Sequence, residues 1–95
     1  MTIEDIRLAL RLTVEDYDPE LLDLAAAGMA DLTMAGVTGA TALADLDKLT
    51  AQAVKTYIRA HFGQPDNYDK LKASYDEQKA QLMHATGHTD WGDDA

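Results

Sequence analysis

Cysteine is absent from this 95-residue chain, which excludes disulfides and thiolate metal sites. No apolar run approaches the roughly 20 residues that a membrane-spanning helix needs. The opening residues, Met1-Thr2-Ile3-Glu4-Asp5, are acidic and lack the basic region of a secretory signal. No Gly-rich phosphate loop occurs, and no Ser stands beside a recognisable base. Repeats and low-complexity stretches are lacking too. These absences predict one soluble domain that starts its life in cytoplasm. A chain of this length buries only about two-thirds of its unfolded surface. Its commonest residue is Ala, so each buried side chain contributes little apolar area. Such a core is marginal alone, and self-association would relieve that.

Cations are also scarce. The formal charge is −9, which disfavours ordinary phosphate binding. The few cations are unevenly placed. Residues 1–47 set ten acids against Arg7 and Arg11 alone, whereas residues 48–63 hold Lys48, Lys55 and Arg59 and no acid. One basic segment therefore sits inside an acidic protein.

The pattern of the rest is helical. Thr2 caps a first helix with Asp5 three residues on, and Ile3, Ile6 and Leu10 share a face that Leu8 and Leu12 widen. The helix is expected to fade near Thr13. Asp18-Pro19-Glu20 predicts a second helix start, with Asp18 as N-cap and Pro19 at N1. That helix runs to about Ala35 and stops at Gly36. Leu21, Leu22, Ala25, Gly28, Met29 and Leu32 form its predicted buried face, and Ala25 and Gly28 are small enough to admit a neighbouring helix. Val37 to Leu43 is loop, with a short helical turn at Ala42–Leu46. Asp45 or Asp47 caps a third helix ending at Phe62, with Gly63 as the C′ residue. Its apolar face is wide: Leu49, Ala53, Val54, Tyr57, Ile58, Ala60 and Phe62. The remaining stripe, Lys48, Gln52, Lys55 and Arg59, spans a sector of about 60°. Pro65 or Asp66 opens a fourth helix and Gly87 closes it. Its apolar stripe is narrow, Tyr68, Leu71, Tyr75 and Leu82 with Gln78 in line, so it lies across something by one edge. Asp66 and Lys70 are spaced for a surface pair. Residues 1–87 thus form one all-α domain, a small bundle of about four main helices with an extended C-terminal helix. Residues 88–95 form a flexible, acidic C-terminal tail.

Candidate chemistry is thin. His84 and His88 have the i, i+4 spacing of helical metal ligands, with Asp90 as a third donor, but Ala85 stands where a zincin motif needs Glu and Gly87 breaks the helix between the ligands. A solvated helix end is the better reading. His61 falls on the apolar face of the third helix and reads as a core or interface histidine. The carboxylates stand mostly at caps and surfaces, so no acid–base pair is indicated. The stripe of Lys48, Lys55 and Arg59 has three readings: solvated, facing acids of a neighbouring subunit, or facing nucleic acid. The neighbour ranks above nucleic acid, because three cations in a −9 protein bind phosphate weakly. The Tyr68 to Leu82 stripe has heptad spacing over only two heptads, too short for a coiled coil. Trp91 is a lone large aromatic in an acidic tail. It either folds back on its own domain or docks in a partner's pocket.

Three runs carry a resemblance. They are Tyr57-Ile58-Arg59-Ala60-His61-Phe62-Gly63, then Pro65-Asp66-Asn67-Tyr68, then Lys70-Leu71-Lys72-Ala73-Ser74-Tyr75-Asp76-Glu77-Gln78-Lys79-Ala80-Gln81-Leu82. Together they resemble the C-terminal half of small head–tail connector proteins, also called head-completion, adaptor or DNA-packaging proteins, of long-tailed phages and prophages. The first half is similar at the level of pattern, and the Ala-rich stretch from Leu24 to Ala44 departs most. The resemblance implies an all-helical adaptor without catalytic residues or cofactor. It implies a homo-oligomeric ring, typically of twelve copies, under the portal protein, extending the DNA exit channel and docking the stopper or tail completion protein. DNA would pass without sequence-specific binding, and no membrane would be involved. The protein would reside at the head–tail junction of the virion after assembly in the host cytoplasm. On this reading Lys48, Lys55, Arg59, Tyr68 and Tyr75 are subunit-interface candidates and Trp91 is the portal-docking candidate. The competing class is a small acidic helical regulator or protein-binding module, and binding to a purified cognate portal separates the two.

Overall fold

The structure is a computed structural model that describes residues 1–85. Four helices carry the fold, α1 (Ile3–Ala9), α2 (Asp18–Met34), α3 (Lys48–His61) and α4 (Tyr68–Ala85), with a 3-10 turn at Leu43–Asp45. No strand occurs among the described residues, and the all-α class expected from the sequence holds. The expected tail, residues 88–95, and the expected stop at Gly87 lie outside the described residues.

The capping box of α1 forms as its sequence implies. The Asp5 N–H donates to Thr2 Oγ1 at 3.2 Å, and the Thr2 N–H donates back to Asp5 Oδ2 at 2.9 Å. The helix ends earlier than the expected fade near Thr13. Leu10 is the C-cap and Arg11 takes φ 58°, so that the N–H groups of Arg11 and Leu12 reach the Leu8 and Arg7 carbonyls at 3.0 and 2.8 Å. This is a Schellman ending built on arginine where glycine is usual, so the sequence carried no stop signal. Leu8, read as widening the buried face, is 75 % exposed.

Asp18 is not the N-cap of α2. Tyr17 holds that position without a side-chain cap, and the Asp18 carboxylate instead accepts from Arg7 Nε and Nη2 at 2.9 and 3.1 Å. A forked guanidinium offers two charge-assisted bonds and ties α1 to α2, which a local cap does not. At the far end Gly36, with φ 96°, lets its own N–H and that of Val37 satisfy the Thr33 and Leu32 carbonyls at 3.0 Å each. Leu21, Ala25, Gly28 and Leu32 are buried, Met29 is half-buried, and Leu22, expected on the same face, lies in solvent. Leu22 is one position, about 100°, round from Leu21 and points away from α3.

The following loop folds into the core rather than over it. Val37, Ala40 and Leu46 are buried, and the Met1 ammonium donates to the Leu43 carbonyl at 3.0 Å. Asp47 caps α3 by accepting the Thr50 N–H at 2.8 Å, while Asp45 belongs to the 3-10 turn. Ala53, Val54, Ile58 and Ala60 are buried as expected of a central helix. Tyr57 and Phe62 are half-buried, and two residues of its expected apolar side are exposed. Leu49 is 66 % exposed in the first turn, beyond the reach of its neighbours. His61 is exposed in the last turn and is no core histidine. Its Nδ1 lies 2.9 Å from the Tyr57 carbonyl and its ring stacks on Tyr57 with centroids 4.2 Å apart. Pro65 and Asp66 lie in the turn before α4. The Asn67 carbonyl accepts the first helical bond, from Leu71 at 3.0 Å. On α4, Leu71, Tyr75 and Leu82 are buried and most of the rest is exposed, the one-edged packing expected of it. The surface pair falls at Lys72–Asp76, 3.0 Å.

Helices α2 and α4 both run antiparallel to α3. Tyr17 before α2 meets Phe62 at the end of α3, ring centroids 5.4 Å apart, while Tyr68 at the start of α4 approaches His61 at 6.0 Å. Where the three helices meet, Tyr57 lies against the bare backbone of Gly28: a Cβ there would stand 3.0 Å from Tyr57 Cδ1 and 3.1 Å from Cγ. Glycine in mid-helix costs about 1 kcal/mol of propensity, and the space it leaves is filled by an aromatic ring. Gly28→Val should therefore destabilise by about 1–3 kcal/mol through overpacking, and the exposed control Ala27→Val by well under 1 kcal/mol. Urea midpoints of the two variants check this, and equal losses would show that the contact relaxes freely. Arg11→Gly should raise the stability by about 1 kcal/mol, and the midpoint with it, because glycine meets no left-handed penalty there.

Candidate interaction surfaces

Two surfaces stand out, and they lie on different sides of α3. The first is the basic stripe. Lys48, Gln52 and Arg59 are exposed, and Lys55 is half-buried beside α1. The Lys55 charge adds to the hydrogen bonds from Thr2, backbone first, that hold the Asp5 carboxyl below its ordinary range. None of Lys48, Lys55 and Arg59 makes a salt bridge among the described residues.

The second is an open groove between α2, α3 and α4, lined by Asp31, Tyr57, His61, Tyr68, Lys72, Tyr75, Asp76 and Lys79. Aromatic rings form its floor. Tyr57 meets Tyr75 edge to face at 5.3 Å and stacks on His61, which in turn meets the edge of Tyr68. Charge lines its wall. The Tyr75 hydroxyl donates to Asp31 Oδ2 at 2.5 Å, Lys79 Nζ donates to the same oxygen at 3.1 Å, and Lys79 lies 5.4 Å from the Tyr75 ring centroid. The sequence-derived candidates thus divide between the surfaces. Lys48, Lys55 and Arg59 share the stripe, Tyr68 is 37 % exposed at the groove, and Tyr75 is buried beneath it. The candidate Trp91, with His88 and Asp90, lies outside the described residues. His84 is exposed on the last turns of α4, and among the described residues no group of three or more His, Cys, Asp or Glu side chains is placed to hold a metal ion.

Asp31 is the residue that sequence reading missed. It stands 44 positions from Tyr75, and no local pattern links them. Its carboxyl is held below the ordinary range by the Tyr75 hydroxyl first and by Lys79 second, against some loss of hydration. The Tyr75 hydroxyl is pushed well above its ordinary value by burial, and by the carboxylate it donates to. The stability from Asp31 is then complete above the ordinary carboxylate value, about 4, and is lost as pH falls through the lowered one. The contribution of Tyr75 is complete below about pH 10 and fades as pH rises beyond it. Tyr75→Phe should cost about 1 kcal/mol, because Asp31 is open enough for water to take the hydroxyl's place. The stability gap between wild type and Asp31→Asn should narrow below pH 4, and urea titrations between pH 7 and 3 measure it. A gap independent of pH would mean that the charge of Asp31 has no part in holding α4 to α2.

The described residues present the outward faces of α2, α3 and α4. The sequence model of a family described as phage connector protein matches residues 2–89, which takes in all four helices and the turns between them. No curated protein and no solved structure matches the chain. On the family match, spanning nearly the whole sequence, the chain belongs to the phage connector proteins.

Proposed function

We infer that the protein is a structural subunit of the phage head–tail junction, forming a ring under the portal protein that lengthens the DNA exit channel and receives the stopper or tail completion protein. The observation that carries this reading is the family match over residues 2–89. Three physical features support it. The core is small, so burial between subunits would add what the single chain lacks. Large apolar side chains stand in solvent at Leu8, Met34 and Leu49, at 75, 88 and 66 % exposure, as is common where a surface awaits a partner. The net charge of −9 suits the wall of a channel through which DNA slides, since like charges repel. Twelve copies is the number that such rings typically hold, and virion incorporation follows assembly in the host cytoplasm. No helix among the described residues is long and apolar enough to cross a membrane.

The groove and the stripe share one role in this proposal. Tyr68, with Tyr75 beneath it, and the cations Lys48, Lys55 and Arg59 are the contacts between subunits. Trp91 anchors the end of the chain in a pocket on the portal. One buried aromatic often supplies much of the affinity of a segment that orders on binding.

Co-purification with the cognate portal, followed by imaging of the complex, tests the assignment. The expected outcome is a ring of density on the portal that is lost when the gene is deleted, leaving filled heads without tails. A single copy, or none, on the portal would overturn it. Trp91→Ala should weaken portal binding by about 2 kcal/mol, some thirtyfold, while leaving the melting temperature of the free subunit unchanged. A destabilised free subunit would instead place Trp91 on its own domain.

A further inference from the structure

We propose that copies of this chain join head to tail, the outer face of α2 in one copy lying against the basic stripe of α3 in the next. The proposal rests on the ring reading above and names the surfaces that would make the ring.

Among the described residues the outer face of α2 has no partner. Leu22, Ala26, Ala30 and Met34 follow one another at intervals of four, and all are exposed, Leu22 at 44 % and Met34 at 88 %. The opposite row, Leu21, Ala25, Gly28 and Leu32, is the buried one. Side chains this small let another helix approach closely, and long cationic side chains can lay their stems across them. The charge on this helix is all of one sign: residues 12–47 contain no Lys or Arg. Asp18 and Asp31 are already engaged by Arg7 and by Tyr75 and Lys79. Glu20 and Asp23 remain exposed and have no salt-bridge partner among the described residues.

The stripe on α3 is its complement in sign and length. Lys48, Gln52 and Arg59 are exposed, and residues 48–63 contain no acid. From Lys48 to Arg59 the stripe runs about 17 Å, and from Leu22 to Met34 the α2 face runs about 18 Å, at 1.5 Å per residue. The two surfaces cannot meet within one chain, because α2 and α3 pack through their opposite sides. Symmetry then decides the mode of association. The α2 face and the α3 stripe point away from each other, so a two-fold contact cannot pair each with the other reciprocally; it would lay the stripe on itself, cation on cation, or α2 on itself, acid on acid, in a chain already at −9. Only the unlike pairing brings opposite charges together, and a contact between unlike surfaces generates a ring when its rotation closes.

The absence of cysteine makes the arrangement testable by cross-linking. Ala26→Cys and Gln52→Cys are both exposed, conservative changes. With a short bismaleimide, on the concentrated full chain and on portal-bound particles, the doubly substituted chain should form a ladder of covalent multimers. A mixture of the two single variants should stop at dimers, and either single variant alone should stay monomeric. Asp23→Lys and Arg59→Glu should each weaken association at least threefold at low salt, and the two together in one chain should restore most of it. Dimers from either single-cysteine variant alone would overturn the proposal in favour of a two-fold contact. So would the lack of a ladder in particles where imaging shows several copies, a result that leaves the connector reading standing. If the wild-type chain neither self-associates nor joins the portal, both readings fall.

Discussion

The fold turns on the space that Gly28 leaves for Tyr57. Without a side chain on α2 at that point, Tyr57 can lie against the helix backbone and still meet Tyr75 of α4 edge to face. Tyr75 then packs on Tyr57, and its hydroxyl arrives at Asp31, three residues beyond Gly28 on the same helix. The three helices are therefore locked by one short circuit, from α2 to α3 to α4 and back to α2. Each step is of a different kind: steric fit, ring against ring, and hydrogen bond to a charge. A larger residue at 28 would move Tyr57, and with it the ring that positions the Asp31 contact. The groove above these residues is a consequence of the same circuit. Its floor is the set of rings that closes the bundle.

Charge is arranged to a similar economy. Of the acids in the first half, several are tied down locally: Asp5 and Asp47 in caps, Asp18 by Arg7, Asp31 by Tyr75 and Lys79. Arg7 and Lys79 are thereby engaged inside the chain, and Lys72 pairs with Asp76 on the surface. Among the described residues the cations without a salt bridge are Arg11, Lys48, Lys55 and Arg59, and Lys70 on α4, and the acids left outward on α2 are Glu20 and Asp23. A charge distribution that looks merely lopsided in sequence becomes, after folding, two unlike surfaces on opposite sides of one molecule.

Much of this was readable beforehand where the physics is local. Thr2 and Asp5, Gly36, Asp47 and the 3-10 turn all behave as their residue types imply, because a cap or a left-handed glycine depends on a few neighbouring atoms. The stripe of α3 and the single buried edge of α4 follow from helical spacing alone. The failures share a cause. Asp18 has the sequence surroundings of an N-cap, but Arg7 comes within reach only once α1 folds back on α2. Arg11 adopts a conformation that sequence rules reserve for glycine. Hydropathy places Leu8, Leu22 and Leu49 on buried faces, but burial needs a neighbour, and the described residues supply none at those positions. Asp31 illustrates the same limit from the other side, since its partners are remote and neither is marked by spacing. Trp91 and the residues around it fall outside the described residues, so its two readings rest on sequence.

Those exposed leucines and Met34 have a common energetic meaning. Burying a side chain of this size is worth about 1.5–3 kcal/mol, and a chain with so small a core has few other sources of stability. A monomer selected only to fold would gain by turning Leu8, Leu49 or Met34 inward, or by replacing them with polar residues that resist aggregation. Retaining them outside makes sense if the free energy is recovered between chains, where association stabilises the folded form by mass action. The same logic explains why the closing circuit is compact. Gly28, Tyr57, Tyr75 and Asp31 fix the angle between α2, α3 and α4 within the subunit, and so fix the angle between the α2 face and the α3 stripe. In an assembly built from unlike surfaces that angle sets the rotation from one copy to the next. A displacement of Tyr57 would therefore alter closure of the proposed ring even if each subunit stayed folded.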